Sequence, residues 1–532
     1  MVSTLIRASF FLSLGVFAET NLGTINTIRN NNLASLVECQ KNSSSNLECY
    51  QSALPALDDI LDLTTTNKCL ATKVDFKDHH LNIPKCPKGD DAIKGLDNTF
   101  PSVGTFAVYM GDNTNFLVDL AKSYLSGSEV GRFNLIVPQG LITDLRNNKD
   151  LIPVLNNPRV NIIPTNFIPL VKRWMQDSFQ FTSLNGKPAL YQLEDQDEYG
   201  RAFERRIACQ IAKECDIPYF VPPDLIDPKN LESNDLNSGG NLEVLPGGTF
   251  VNGIIKTEGY NNNLPNSYQV KKNKEYPYRT NFQKRLKDSL EKEGNKVLEL
   301  DTSFLEIGHV DEFFSVVKNN KPSPCNYSIM IANPKKAFEL IEEEAKKMTS
   351  RDYRTIQCSR FRNYSEISIE NKGRNNVLSK KAINEIYYAR CLHNMPIETF
   401  VKSEQYKALK RINLTDTDRK NISQIMEENK ELLRKELQLT TKCEAPHFID
   451  IPVFFRKGLS ETPDLVNGLV ESPPYGPSNV YLPRSYFKPF DEYTVNELNK
   501  VGIRTQFVHN MDYHVRQGEV HCGTNTARIC KP

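Results

Sequence analysis

The chain has 532 residues, 39% of them apolar and 9% aromatic, enough for one large domain or two to three ordinary ones. Its 66 Lys and Arg face 65 Asp and Glu, and the formal charge of +1 excludes whole-molecule attraction to nucleic acid or anionic membrane. Partners must be read from individual sites.

The N-terminus pairs one basic residue, Arg7, with an apolar run from Phe10 to Ala18, and small or apolar Val16 and Ala18 precede a cleavage position. This is the pattern of a signal peptide over residues 1–18, and the run is well below the ~20 residues a bilayer span needs. No later segment reads as a membrane span. Secretion is also the expectation from sequons at Asn42, Asn326, Asn363, Asn413 and Asn421, all in polar surroundings where a glycan is tolerated. Of the 12 cysteines, Cys39, Cys49, Cys69 and Cys86 fall in the first hundred residues, which in an oxidising compartment predicts local disulfides of undetermined connectivity. Residues 19–100 therefore read as a small Cys-containing region, rich in Asn, Ser, Thr and Asp. No Cys/His cluster has zinc-ligand spacing.

From TFAVYMGDN (105–113) onward the pattern changes. Strand-like runs at 133–138, 160–164 and 296–300 alternate with amphipathic helices over 115–125, 282–294 and 334–348, each with apolar residues at spacings of three and four. The class is mixed α/β. The stretch from Ser350 to Lys442 is highly charged and mostly helical, and ends in IMEENKELLRKELQL, a solvated helix face. No fixed-period repeat is visible.

Four islands combine polar clusters with strand or turn context: RWMQD (173–177), SGGNLEV (238–244), GHVDEFFS (308–315) and RQGEVHCGTN (516–525). Alone, each has a plain reading, since a single His is more often structural and a Cys in a secreted chain more often half of a disulfide. Together they meet the needs of one reaction. Carboxylates match the fork of a guanidinium bidentately, so Asp177 and Asp311 suit a planar cation. Cys522 supplies a thiol in a glycine-flanked turn, and His309 a group that protonates a departing amine and then activates water.

In order, these islands resemble the catalytic domain of the protein-arginine deiminase family. The likeness runs on through NKELLRKELQL, FIDIPVFF and SPPYGPSNVYLP, covers residues 101–532, and is most specific in YHVRQGEVHCGTN. It implies a pentein fold, an α/β propeller of five ββαβ modules about a pseudo-fivefold axis, with a small N-terminal extension. By position it makes Cys522 the nucleophile, His309 the general acid/base, Asp177 and Asp311 the guanidinium-binding carboxylates, and Trp174 the ring that packs on the substrate's methylene stem. The implied reaction turns peptidyl arginine in protein or peptide substrates into peptidyl citrulline with release of ammonia, through a thiouronium adduct. The resemblance also implies calcium, with Gln176, Glu243 and the carbonyls of Gly239 and Leu242 as ligands. Here the chain departs from animal members, which carry glutamates at the positions of Ser178 and Gln180 and two immunoglobulin-like domains ahead of the catalytic one. Losing two carboxylates weakens a calcium site; the acidic run 193–198 is a candidate second ligand set or a solvated loop. Two other readings share these residues: a deiminase of free arginine or agmatine, and a secreted binding protein that has lost catalysis.

Overall fold

A computed structural model describes residues 69–70, 93–128, 131–165, 173–184, 187–192, 203–220, 239–254, 286–347, 397–416, 420–456, 458–474, 476–514 and 516–530. All of them belong to one compact unit, Leu63–Pro532. The signal-peptide expectation, most of residues 19–100, the sequons at Asn42 and Asn363 and the acidic run 193–198 lie outside the described residues.

The unit is α/β. Its strands form six separate sheets, and among the described residues no sheet closes on itself. Five of the six contain the same three-strand pattern, in which a first strand pairs antiparallel with a second and the second pairs parallel with a third. Phe179–Leu184, Lys187–Gln192 and Tyr219–Phe220 make one. Leu242–Val244, Phe250–Ile254 and Val297–Asp301 make the next. The third is Phe314–Lys318, Tyr327–Ala332 and His447–Ile451, and the fourth Leu469–Glu471, Asn479–Pro483 and Arg504–Val508. In the last, the C-terminal strand Thr524–Arg528 pairs with Ser102–Val108, which runs parallel to Arg132–Pro138. The chain's last described strand thus lies beside one of its first.

Each parallel pair needs a crossover, and the amphipathic segments supply it. Thr114–Gly127 buries Phe116, Leu117, Leu120, Ala121 and Tyr124, a spacing that puts one face on the sheet. Pro334–Lys347 does the same with Ala337, Phe338 and Ile341. The charged region seen in the sequence includes the helix Ile422–Thr441, which buries Ile422, Ile425, Met426, Leu433 and Leu437; one of its carboxylates, Glu436, is buried too, accepting from Thr249 Oγ1 and Lys296 Nζ at 2.6 Å each. Asn421 caps it, accepting from Gln424 N while Gln424 reaches back to Asn421 N.

Cys69 is disulfide-bonded to Cys215 and Cys325 to Cys443. Cys530 is disulfide-bonded as well. Cys522 is the one free thiol among the described residues, and it is buried. No described helix is long and apolar enough to cross a membrane.

Candidate active site

The polar islands occupy equivalent places: each lies in the turn just ahead of the first strand of a three-strand pattern. Asp177 belongs to the single helical turn Met175–Ser178 before Phe179–Leu184. The turn Gly239–Asn241 precedes Leu242–Val244, and Val310–Glu312 precedes Phe314–Lys318. Cys522 precedes Thr524–Arg528. The fourth pattern contributes Asn467, just ahead of Leu469–Glu471. Residues more than three hundred positions apart are thus presented from like positions on rigid strands.

Gly240 marks where they meet. A Cβ built on it would lie 2.5 Å from His309 Nδ1, 3.2 Å from Asp311 Oδ2 and 3.3 Å from Asp177 Oδ1, so three of the predicted groups converge on a residue that must lack a side chain. His309 Nδ1 stands 3.9 Å from Asp177 Oδ1. Its main-chain N–H donates to Glu312 Oε1 at 2.9 Å, which fixes the turn. Gly239 is pressed against the first turn, for a Cβ there would meet Gln176 O at 1.9 Å.

Cys522 joins the same group. Its thiol lies 3.7 Å from Asp311 Oδ2 and 3.4 Å from Asn467 Oδ1. Asn467 Oδ1 also accepts from Cys522 N at 3.2 Å, its Nδ2 donates to Asp311 O at 3.1 Å, and its carbonyl accepts from His521 N at 3.1 Å. One amide therefore ties the turn bearing the thiol to the turn bearing the carboxylate. His521 Nδ1 donates to Asp311 Oδ2 at 2.8 Å, while its Nε2 faces Glu243 Oε1 at 3.4 Å. Asp311 Oδ1 is buried with no hydrogen-bond partner among the described residues, which leaves it available to a cation's N–H. Neither Asn467 nor His521 stands out in the sequence: His521 is flanked by the more distinctive Cys522 in YHVRQGEVHCGTN, and VNGLVE reads as an ordinary Asn-Gly turn before a strand.

Burial pushes the Cys522 thiol well above its ordinary range, and the charges of Asp311 and Asp177 push it further. The resting group is the thiol. Burial would by itself lower the pKa of His521, but Glu243 and Asp311 outweigh it and the imidazolium is favoured. Glu243 is raised to about 7 by burial, against the pull of His521.

Trp174 is half-buried; its ring meets Tyr513 edge-on with centroids 5.4 Å apart and covers Gly518, where a Cβ would lie 2.3 Å from the indole. Beside it, Arg173 and Arg516 both pair with Asp112, at 2.9 and 3.0 Å.

The calcium ligands implied by the resemblance are only partly brought together. Gln176 Nε2 donates to Gln180 Oε1 at 3.0 Å and lies 3.5 Å from Gly239 O, whereas Glu243 is turned to His521. Among the described residues no group of three or more His, Cys, Asp or Glu is arranged to hold a metal. With one carboxylate already paired and the remaining donors neutral, these residues as placed do not fit a calcium ion, which prefers several charged oxygens.

A family model described as "Protein-arginine deiminase (PAD)" matches residues 166–531. Mouse protein-arginine deiminase type-3 is 28% identical over 318 residues, covering 57% of this chain and 39% of that protein. Human protein-arginine deiminase type-4 is 25% identical over 241 residues, covering 43% and 29%. The matches thus span about two fifths or less of these relatives' length. Among solved structures, an agmatine deiminase of Enterococcus faecalis covers 82% of this chain and 96% of its own at 12% identity and a TM-score of 0.43, a likeness too loose to bear on fold or reaction.

Proposed function

The chain belongs to the protein-arginine deiminase family, and on that premise we propose that it hydrolyses the guanidinium of peptidyl arginine to peptidyl citrulline and ammonia through the thiolate of Cys522. One observation carries the reading: Asp177, His309 and Asp311 converge on Gly240, with the free thiol of Cys522 3.7 Å from Asp311.

Asp177 and Asp311 take the guanidinium between them, with Asp311 Oδ1 open to its N–H groups. The substrate's positive charge offsets the carboxylates that hold Cys522 protonated, so binding itself favours the thiolate. The sulfur bonds to the guanidinium carbon, and the C–N bond breaks as ammonia leaves with a proton from His309. Water, giving a proton back to His309, then attacks the thiouronium carbon. The C–S bond breaks, and citrulline and Cys522 are released. Trp174, beside the site, packs on the methylene stem.

The proposal includes a pentein propeller, supported by the pairing pattern shared by five sheets. It also includes secretion, supported by two disulfides and a bonded Cys530, since disulfides persist in oxidising compartments. No step is routed through calcium.

The decisive experiment is mass spectrometry of a blocked arginine peptide and of free arginine incubated with the protein, each with calcium and with chelator. Conversion of the peptide is expected, and conversion of free arginine alone sinks the peptide reading. The calcium and chelator arms decide whether the ion implied by the family is needed. Cys522→Ser is expected to abolish ammonia release; undiminished release would overturn the thiolate mechanism.

A further inference from the structure

Five sequons are equivalent as sequence, but three of them are described in the structure and they differ in kind. Asn413 is fully buried. Both hydrogens of its amide are committed, donating to Leu409 O at 2.9 Å and Phe455 O at 2.8 Å, and its Oδ1 accepts from Phe455 N at 3.0 Å. A glycosidic bond would replace one of those N–H groups and place a sugar where there is no space. Asn421 is 6% exposed, and its Oδ1 holds the N-terminus of the helix Ile422–Thr441. The expectation that a glycan is tolerated therefore fails at Asn413, because the amide is a structural tie, and at Asn421 the side chain serves as a cap.

Asn326 is the opposite case. It is exposed, among exposed Lys321, Pro322 and Pro324. Its backbone is left-handed at φ 57°, a conformation Asn tolerates, and is held by N–H donation to Ser323 Oγ at 3.1 Å and acceptance from Asn319 N at 3.0 Å. The side-chain amide makes no hydrogen bond among the described residues, so a substituent on it disturbs nothing. The neighbouring Cys325 is disulfide-bonded to Cys443, a bond of an oxidising compartment.

We propose that Asn326 carries an N-linked glycan in the folded protein and that Asn413 does not. In the covalent step the Asn326 amide nitrogen bonds to the anomeric carbon of a lipid-diphosphate-linked oligosaccharide; the C–O bond to the diphosphate breaks, and the amide gives up one proton. Because transfer precedes folding, the fold acts as the filter: a chain modified at Asn413 cannot form the contacts to Leu409 and Phe455 and does not reach the native state. The glycan is also clear of the active site. Val310–Glu312 adjoins the Phe314 end of its hairpin, whereas Asn326 adjoins the Lys318–Tyr327 end, about 13 Å along the strand at roughly 3.3 Å per residue.

The test is glycopeptide mapping of the full chain secreted from a glycosylating eukaryotic host, with a glycosidase that converts glycan-bearing Asn to Asp. Asn326 is expected as Asp in most molecules and Asn413 as unmodified Asn. Asn326→Gln should remove one glycan's mass and leave turnover within about twofold of the parent. Asn413→Gln should leave the glycan pattern unchanged while lowering the melting temperature. An unmodified Asn326, or a glycan on Asn413 of soluble folded protein, overturns the proposal, and neither result depends on the deiminase reading.

Discussion

Asn467 touches three members of the site through one residue, accepting from the Cys522 N–H and thiol, donating to Asp311 O and accepting from His521 N. Removing its amide takes away the bridge from the Cys522 N–H to Asp311 O, so the turn bearing Cys522 is held less firmly against the turn bearing Asp311, and a displacement of about 1 Å in such a geometry costs on the order of 10²-fold. Asn467→Ala is therefore expected to lower kcat by about 10- to 100-fold with KM changed much less, since the amide meets Asp311 at its main-chain carbonyl and the carboxylate keeps its hydrogen bond from His521 Nδ1. Steady-state kinetics on a blocked arginine peptide decide it, and a rise in KM with kcat intact would assign Asn467 to substrate binding instead. The charge of Asp311 gives a second prediction. A raised thiol pKa means little thiolate at neutral pH and more as pH rises, so alkylation of Cys522 by neutral iodoacetamide should climb steadily above pH 9. Asp311→Asn removes one of the three charges that raise the thiol pKa, with Asp177 and Glu312 remaining, and should move that curve to lower pH; an unmoved curve would show that the charge of Asp311 does not contribute. Cys522, His309 and the two carboxylates were legible because reactive residue types cluster with glycines. Asn467 was not, because an amide in an apolar Asn-Gly turn carries no chemical signature until its partners are known.

At the scale of elements, Tyr513 in the turn Met511–His514 and the following Gly518 hold the ring of Trp174, the residue proposed to pack on the substrate. A methyl group on Gly518 would sit 2.3 Å from the indole, too close for either to stay in place. Trp174 is the single tryptophan, so its emission reports this directly. Gly518→Ala should shift the fluorescence to the red and raise KM for arginine peptides several-fold; unchanged emission would show that the backbone yields instead. Asp512, in the same turn, has a buried oxygen without a hydrogen-bond partner among the described residues. Its pKa is raised to about 6, first by burial and then by Asp112, with Arg173 and Arg516 opposing. The folded state thus holds this proton more tightly than the unfolded one, so the carboxyl contributes most below about pH 4 and its contribution is lost as pH rises to about 6. A ceiling of about 3 kcal/mol at neutral pH, reduced by solvent screening, gives an expected gain of about 1–2 kcal/mol for Asp512→Asn. Urea midpoints at pH 4 and pH 7 measure it, and an equal effect at both would rule out the charge as the cause. Helices were the most legible elements, since Thr114–Gly127, Pro334–Lys347 and Ile422–Thr441 each repeat apolar residues on one face. The helical turn at Asp177 was not, because it is one turn long and has no period.

At the scale of the whole molecule, the recurring three-strand pattern was invisible in the sequence because its crossovers are unequal. Asn479–Pro483 is joined to Arg504–Val508 mainly by the helix Lys488–Lys500, whereas the connection from Tyr327–Ala332 to His447–Ile451 runs through more than a hundred residues. No fixed spacing survives such insertions. That long crossover carries the cost of closing a large loop before its two strands can pair, and the disulfide Cys325–Cys443 removes it. The bond joins positions 118 residues apart, each just ahead of a strand, and those strands then pair with Ser328 opposite His447. In the chain-entropy account, cross-linking a loop of this size contributes about 4–5 kcal/mol by constraining the unfolded chain. The double variant Cys325→Ser/Cys443→Ser should therefore lose several kcal/mol in denaturant unfolding while keeping its turnover at 25 °C, because the disulfide lies at the Lys318–Tyr327 end of the hairpin, away from Val310–Glu312 at its Phe314 end. A loss below about 1 kcal/mol would mean that the unfolded chain already holds these segments together. Loss of turnover in protein that remains folded would instead tie this crossover to Val310–Glu312, the turn of the proposed site that leads into the same sheet.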